Sequence, residues 1–186
     1  IQLFSYPGED EDSSDWVLDS TNTYNNSPYS LRLWGNTWKV ESILPITLDT
    51  NDVWQVGAYV ETRAEIQGFG LCDSAHAILY SFAGTQELNI ETWIPVYQGA
   101  FPLQTWNQYG LPVGQDWLAY YGYLPTITAI AFINDRDDDP DGVVYFDDIL
   151  NITPDLPMAP QVSINYAASE IYENNRGIRF VDIQFY

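Results

Sequence analysis

The alternation of apolar and polar positions along the chain is typical of β-strands, and helical periodicity is almost absent. Short runs of β-branched and aromatic residues are separated by Gly, Pro, Asn and Asp, which favours an all-β protein. The predicted strands are Ile1–Ser5, Asp15–Asp19, Ser30–Trp34, Thr37–Ile43, Val53–Ile66, Phe69–Phe82, Leu88–Val96, Thr126–Ile133 and Val143–Ile152. Strands at this spacing predict an antiparallel jelly-roll β-sandwich over residues 1–153.

Several local features follow from the same pattern. Gly35-Asn36 predicts a hairpin between the strands on either side of it. Phe69–Phe82 is expected to run as one long strand with a bulge near Asp73-Ser74. Residues 97–125 are rich in Gly, Pro and aromatic residues, with a single helical turn expected at Gln115–Tyr121 and Trp106 expected in the core.

The C-terminal part differs in composition. Residues 154–160 carry three prolines in the run TPDLPMAP and are predicted to be a linker. Two further strand-like runs follow within 161–186, Gln161–Tyr166 and Gly177–Phe185. Because two strands cannot bury a core of their own, this extension should pack on the first domain, pair with another chain, or begin a partial immunoglobulin-like module.

The charge balance excludes several classes of partner. Of the 186 residues, 26 are acidic and 6 are basic, which gives a net charge of −20. Such a chain cannot bind nucleic acid by neutralising phosphates, and it is a poor match for anionic lipid. No apolar run is long enough to cross a membrane, and a single cysteine excludes a disulfide framework. The acidity and the low lysine count suit an extracellular or cell-surface protein.

Two stretches concentrate the acidic residues. In residues 135–141 an aspartate stands at every second position and Gly142 closes the turn, which echoes the ligand spacing of calcium loops. The predicted Ca²⁺ ligands are Asp135, Asp137, Asp139, Asp141 and Asp147. A solvated loop tip is an equally good interpretation of this stretch. For the other stretch, Glu9–Asp15, solvation is favoured.

Four segments together resemble the jelly-roll carbohydrate-binding modules of the galactose-binding-like β-sandwich group. They are IQLF followed by DWVL, then SPYSLRLWGNTW, then TWNQYGLPVG, and finally ITAIAFI with the acidic loop and VVYFDDI. The resemblance implies a glycan-binding module with one structural Ca²⁺, whose ligands would be Ser5 or Glu9, Asn26 or Ser27, and Asp147. The linker and trailing strands resemble the start of an immunoglobulin- or PKD-like module.

Aromatic residues are the candidate sugar contacts, because the apolar C–H faces of sugar rings stack on flat aromatic rings. The candidates are Trp38, Trp93, Trp117, Tyr120, Tyr121 and Tyr123. For any one of the tryptophans, packing in the core is the competing explanation.

Catalysis is not expected. If Phe69–Phe82 is one strand, Cys72 and His76 lie roughly 13 Å apart along it, too far for a nucleophile and its base. There is no G-x-S-x-G elbow, and no pair of carboxylates is marked out for glycoside hydrolysis. The sequence therefore favours a secreted, non-catalytic glycan-binding module with structural calcium. The alternative is a structural or adhesive module of a cell-surface protein or filament, which would form homo-oligomers or bind a neighbouring module through its C-terminal strands.

Overall fold

The computed structural model describes residues 1–84, 86, 92–96, 101–137, 142–153, 162–165 and 170–173. The chain divides into two compact units, Ile1–Ile152 and Thr153–Tyr186. Within these residues, no helix is long and apolar enough to cross a membrane.

The first unit is a sandwich of two β-sheets, which confirms the predicted all-β fold. Its elements are β1 Leu3–Ser5, β2 Trp16–Asp19, β3 Ser30–Trp34, β4 Thr37–Thr47, β5 Trp54–Thr62, β6 Ile66–Cys72, β7 Ala77–Gly84, β8 Thr92–Pro95, β9 Trp106–Leu111, α1 Val113–Tyr121, β10 Thr126–Asp135 and β11 Val143–Asn151. One sheet has the order β1-β4-β10-β6-β7-β8 and the other β2-β3-β11-β5-β9. The described pairs in both sheets are antiparallel except β7 and β8, which are parallel.

The main core fills the space between the two sheets. Successive residues of a strand point to opposite faces, so every second position contributes to it. Phe132 from the six-stranded sheet packs against Phe146 from the five-stranded sheet, with ring centroids 5.3 Å apart. A second buried cluster includes Ala131 and Ile133, the neighbours of Ile130 and Phe132 in β10, so it lies on the other face of the six-stranded sheet.

The predicted hairpin at Gly35-Asn36 is wrong. The strand before it, β3, pairs with β2 and β11, whereas β4 pairs with β1 and β10 in the opposite sheet. The chain therefore passes from the five-stranded sheet to the six-stranded sheet at this corner of the sandwich. Gly35 has φ +68°, and a Cβ at this position would lie 2.7 Å from Oδ2 of Asp12, so the corner requires glycine.

The two longest predicted strands are also each divided. Val53–Ile66 contains β5 and the first residue of β6, which belong to different sheets. Phe69–Phe82 folds back at Asp73–His76, so that Cys72 pairs with Ala77 across an antiparallel hairpin. Asp73 drives this turn because its Oδ1 accepts the backbone N–H groups of Ala75 and His76. The expected helical turn at Gln115–Tyr121 is part of the longer helix α1.

A buried ion pair fastens the acidic segment after β1 to the edge of the sandwich. The ammonium of Lys39, the chain's single lysine, contacts the carboxylate of Asp10, and their side chains are 2% and 1% exposed. Lys39 also donates to the carbonyl of Ser13, and the other Asp10 oxygen accepts the Trp38 backbone N–H. Asp10 therefore corrects the expectation that this acidic stretch is merely solvated.

The second unit contains the antiparallel pair β12 Val162–Asn165 and β13 Glu170–Glu173. The predicted linker 154–160 and the predicted strand at 177–185 lie outside the described residues. An immunoglobulin-like extension, and its pairing with another chain, stay predictions.

Replacing Lys39 should destabilise the protein strongly. Lys39→Met leaves the Asp10 carboxylate buried without its cation, and breaking a buried pair in this way costs about 3–5 kcal/mol. At roughly 2–4 °C per kcal/mol for a chain of this size, the melting temperature should fall by about 10 °C. Adding Asp10→Asn should restore part of the loss. Glu11→Gln, which removes an exposed charge from the same segment, should change little. A melting temperature of Lys39→Met within about 2 °C of the wild type would contradict the role of this pair.

Candidate functional site

The five-stranded sheet carries a row of large side chains on its outer face. One register level crosses all five strands and joins Val17, Arg32, Tyr145, Tyr59 and Trp106. Their sequence neighbours, such as Leu31, Leu33, Ala58, Val60, Val144 and Phe146, are buried in the core. Because side chains alternate between the faces of a strand, the row must face away from the core. We call Arg32, Tyr145, Tyr59 and Trp106 the aromatic row.

Neighbouring members of the row touch one another. Tyr59 lies with its ring centroid 5.6 Å from that of Trp106 and 5.6 Å from that of Tyr145. At the other end, the Arg32 guanidinium lies 5.7 Å from the Tyr145 ring centroid and 5.0 Å from that of Trp34. These distances are those of favourable ring and cation–π contacts. The row is therefore a continuous packed layer, in which Arg32, Tyr59 and Trp106 are half-buried and Tyr145 is buried.

Hydrogen bonds fix the polar edges of the rings. The Trp106 indole N–H donates to Oδ1 of Asn22 at 2.9 Å, and the Tyr145 hydroxyl donates to Oε2 of Glu61 at 2.9 Å. Burial and the Glu61 carboxylate raise the pKa of Tyr145 to about 12, so its hydroxyl stays protonated and keeps donating.

Asp147 holds a loop against the end of the row. Its Oδ2 accepts the Tyr24 backbone N–H and its Oδ1 that of Asp148, both at 2.8 Å. The Tyr24 ring then lies 5.4 Å from the Trp106 ring. Gly57 pairs with Asp147 and leaves room for the Tyr24 ring, because a Cβ on residue 57 would lie 3.3 Å from Cδ1 of Tyr24. Asp147 thus positions Tyr24 through the hydrogen bond from its backbone N–H, while the Asp148 N–H fixes the carboxylate itself.

Sequence reasoning missed this site. Trp106 was expected in the core, yet it is half-buried on the outer face, and Tyr109 of the same strand packs against the core instead. The signal was present in β5, where the inward Val56, Ala58 and Val60 alternate with Gly57, Tyr59 and Glu61. Without the pairing of β5 with β9 and β11, however, the outward residues of different strands could not be placed in one row.

The predicted sugar contacts divide into buried and exposed residues. Trp38 and Trp117 have no exposed surface, so neither ring can stack on a sugar, and both predictions are corrected to core positions. Trp93 is half-buried and packs edge-on against Trp38 with centroids 5.9 Å apart. Tyr120 and Tyr123 are 56% and 37% exposed.

Tyr121 and Tyr123 lie together beside the Asp73–His76 turn. The His76 ring stacks on Tyr121 with centroids 4.5 Å apart and an angle of 14° between the planes. The Tyr121 hydroxyl donates to the carbonyl of Ala77 at 2.7 Å, and the Tyr123 hydroxyl donates to Oδ2 of Asp73 at 2.6 Å. The hydrogen bonds made by Asp73 lower its pKa, although its partial burial opposes them, so the carboxylate stays charged and keeps the turn in place.

The predicted calcium ligands do not converge in the described part of the chain. Asp135 belongs to the six-stranded sheet, where Oδ1 accepts the Trp38 indole N–H at 2.9 Å, and Asp147 belongs to the five-stranded sheet. Asp137 is exposed, and its Oδ1 accepts a hydrogen bond from the Asn36 amide. Asp139 and Asp141 lie outside the described residues. Across the ranges that the structure describes, no three Asp, Glu, His or Cys side chains are grouped as a metal site requires.

The side chains that the resemblance implies as Ca²⁺ ligands likewise make other hydrogen bonds or lie in different segments. Ser5 pairs in register with Lys39 in the six-stranded sheet, and Glu9 follows it in the segment after β1. Ser27 uses its hydroxyl to donate to the carbonyl of Tyr29, and Asn26 is exposed. Among the described residues, these side chains are not grouped around Asp147, and a calcium site there stays a prediction. Calcium binding by the loop 135–141 stays a prediction.

Comparisons with known proteins give distant likenesses to solved structures. No family model and no curated protein matches the sequence. Among solved structures, the chain is similar to a family 30 carbohydrate-binding module, with 19% identity, a TM-score of 0.44, and 79% of this chain and 78% of that chain covered. It is also similar to the xyloglucanase domain of NopAA, a type three effector from Sinorhizobium fredii, in complex with cellobiose, with 12% identity, a TM-score of 0.41, and coverage of 80% and 94%. An exo-beta-agarase gives 9% identity, a TM-score of 0.37, and coverage of 81% and 25%. With TM-scores this low, the likenesses carry no argument about function.

Asp135→Asn should stabilise the protein above neutral pH. Burial raises the pKa of Asp135 to about 6, against the ordinary value of 3.8, because the charged form loses its hydration. As the pH rises, Asp135 therefore ionises in the unfolded chain at a lower pH than in the folded protein. The stability of the wild type falls between about pH 4 and about pH 6 as a result. Asparagine can still accept the Trp38 hydrogen bond without this penalty. The variant should match the wild type near pH 4 and exceed it by about 1–3 kcal/mol at pH 7.5 in urea titrations.

The same titrations in millimolar Ca²⁺ test whether Asp135 binds the cation. A bound cation would favour the ionised carboxylate and reverse the sign of the effect, so that Asp135→Asn would destabilise the protein only when Ca²⁺ is present. Equal stability of the variant and the wild type at pH 7.5 would contradict the burial account.

Proposed function

We propose that the outer face of the five-stranded sheet binds a carbohydrate chain, and that the protein is a binding module without catalytic activity. The observation that carries this proposal is the aromatic row: Arg32, Tyr145, Tyr59 and Trp106 stand side by side on the face opposite the main core, where Arg32, Tyr59 and Trp106 are half-buried and Tyr145 is 6% exposed.

The dimensions of the row suit a chain of sugars. Adjacent strands are about 4.8 Å apart, so the step from β3 through β11 and β5 to β9 spans roughly 14 Å. A chain of several sugar rings laid across the strands would place successive apolar C–H faces over Trp106 and Tyr59, with Arg32 further along the chain. Arg32 and Trp106, at the two ends of the row, would then contact different sugars.

Polar groups beside the row can bind the hydroxyl groups. Gln108 is exposed and pairs with Gly57. This pair lies two residues along the strands from the Tyr59–Trp106 pair and therefore on the same face of the sheet. The Nε–H of Arg32 has no hydrogen-bond partner among the described residues although the atom is buried. A buried donor without a partner is costly, and a ligand hydroxyl that reaches it would recover that cost.

The row is also pre-organised. Asn22 and Glu61 hold the ring edges of Trp106 and Tyr145, and Asp147 holds Tyr24, so the rings lose little freedom on binding. Fixing a binding surface before the ligand arrives lowers the entropic cost of binding.

The arrangement of acids and of the cysteine supports binding without hydrolysis. A glycosidase needs two carboxylic groups, one on each side of the scissile bond. Beside the row, Glu61 accepts the Tyr145 hydroxyl, and Asp147 accepts two backbone amides. Cys72 and His76 are brought closer by the hairpin than the sequence predicted. In the described part of the chain, however, the His76 ring has no hydrogen bond, so the two residues do not form a nucleophile–base pair.

Removing either half-buried ring of the row should abolish most of the affinity. With a polysaccharide identified on a glycan array, Tyr59→Ala and Trp106→Ala should each weaken binding at least tenfold in calorimetric titrations, as removal of an aromatic anchor does at other interfaces. Tyr59→Phe, which keeps the ring, should bind within about threefold of the wild type. Tyr120→Ala, which removes an exposed ring from α1, should bind normally. Unchanged affinity in both alanine variants would contradict the proposal.

The competing function is attachment to a protein, as in an adhesive or filament-forming module. It would be favoured if no glycan on the array binds and Tyr59→Ala instead changes the mass of the protein in concentration-dependent light scattering.

A further inference from the structure

We propose that a cavity on the six-stranded sheet is a second carbohydrate site, which takes a single sugar ring. The cavity has a volume of about 250 Å³ and lies between Tyr6-Pro7 on one side and Asp73–Ala77 on the other, with Val40 and Cys72 also lining it. The ligand class rests on the proposed function. The cavity itself belongs to β4, β6, β7 and their connections, so it does not include the aromatic row.

One wall of the cavity is fixed by a buried tryptophan. The Tyr6 ring lies 5.5 Å from the Trp38 ring, and the Tyr6 backbone N–H donates to the Trp38 carbonyl at 2.9 Å. Trp38 has no exposed surface and is held in turn by Asp135 and Trp93. Trp38 therefore positions a ligand-facing ring without itself touching a ligand.

The opposite wall is fixed by the tyrosines that the sequence pointed to. Asp73 closes the turn with hydrogen bonds of 2.6 and 2.7 Å from the backbone N–H groups of Ala75 and His76. Tyr123 donates to the same carboxylate, and Tyr121 supports the His76 ring by stacking. Tyr121 and Tyr123 thus act as positioning residues behind the cavity.

The lining combines apolar surface with unused hydrogen-bonding groups. Pro7, Val40 and Ala77 supply the apolar part. The Ser74 hydroxyl and the two His76 ring nitrogens have no hydrogen-bond partner among the described residues, and both residues are exposed. A pyranose ring has the complementary pattern of an apolar C–H face and hydroxyl groups around its edge.

The size of the cavity limits the ligand. It is smaller than the ~300–1,000 Å³ of pockets that enclose drug-sized molecules, so it has room for one sugar ring. A chain end or a side-branch sugar meets this condition. The aromatic row and the cavity lie on different sheets, so one module could engage two glycan segments and link them together.

The chain's single histidine gives a direct test. Methyl glycosides of glucose, galactose, mannose, xylose and N-acetylglucosamine are titrated while the His76 Hε1 signal is followed by proton NMR. At least one glycoside should shift the signal saturably. The same glycoside should slow the reaction of Cys72 with a thiol reagent, because the sugar would cover that wall.

Matched variants separate the cavity from the row. Ala75→Trp, which fills the cavity, should abolish the shift, whereas Ala119→Trp, which adds the same side chain at an exposed helix position outside it, should not. Ser74→Ala should weaken binding about three- to tenfold, the effect of one hydrogen bond. Tyr59→Ala should leave the response of His76 unchanged.

The possible outcomes are distinct. A His76 signal that no glycoside moves saturably, or that still moves in Ala75→Trp, overturns the second site. Loss of the response in Tyr59→Ala would also overturn it, because the cavity would then not bind independently. If His76 responds but no polysaccharide binds to the row, the second site stands and the proposed function of the sheet face fails.

Discussion

The register of strand β11 determines where the candidate site lies. Tyr145 stands opposite Arg32 of β3 on one side and opposite Tyr59 of β5 on the other, and Tyr59 stands opposite Trp106 of β9. Because side chains alternate with a period of two, a slip of one residue would turn Tyr145 into the core and bring Phe146 to the surface. The packing of Phe146 against Phe132 and Phe82 opposes such a slip. The register of β11 therefore places Phe146 in the core and Tyr145 in the aromatic row at the same time.

Carboxylates hold loops at the ends of the sandwich in place through hydrogen bonds to the backbone. Lys39 and Asp10 hold the segment after β1 on the edge of the sandwich, and this segment starts at Tyr6, which lines the proposed second site. Asp147 and Asp73 act in a similar way, since each carboxylate accepts backbone N–H groups and so fixes a loop that carries an aromatic residue. Many of the acids that give the chain its charge of −20 stay in solvent, whereas Asp10, Asp73 and Asp147 each hold a loop or segment in place.

The sequence predicted the strands well where a run of strand-forming residues is bounded on both sides by turn residues. Ser30–Trp34 was predicted with its observed bounds, and Thr126–Ile133 and Val143–Ile152 within two residues of theirs. It failed where tertiary pairing decides the structure: Gly35-Asn36 is a corner between sheets, and Asp73–His76 is a turn inside an apolar run. The alternation of Tyr59 with Ala58 and Val60 is visible in the sequence, but only the strand order brings Tyr59 next to Trp106 and Tyr145. The same limit explains Trp38 and Trp117, whose burial depends on the layers that cover them and not on their neighbours in sequence.

Whether a glycan lies across the aromatic row can be read from the indole N–H signals of the seven tryptophans. In ¹⁵N-labelled protein, a bound oligosaccharide should shift the Trp106 and Trp34 indole signals and the Arg32 Nε–H signal, which lie at the row. The signals of the buried Trp54 and Trp117 should stay where they are. An oligosaccharide that binds to the protein and leaves the Trp106, Trp34 and Arg32 signals unmoved would contradict the account.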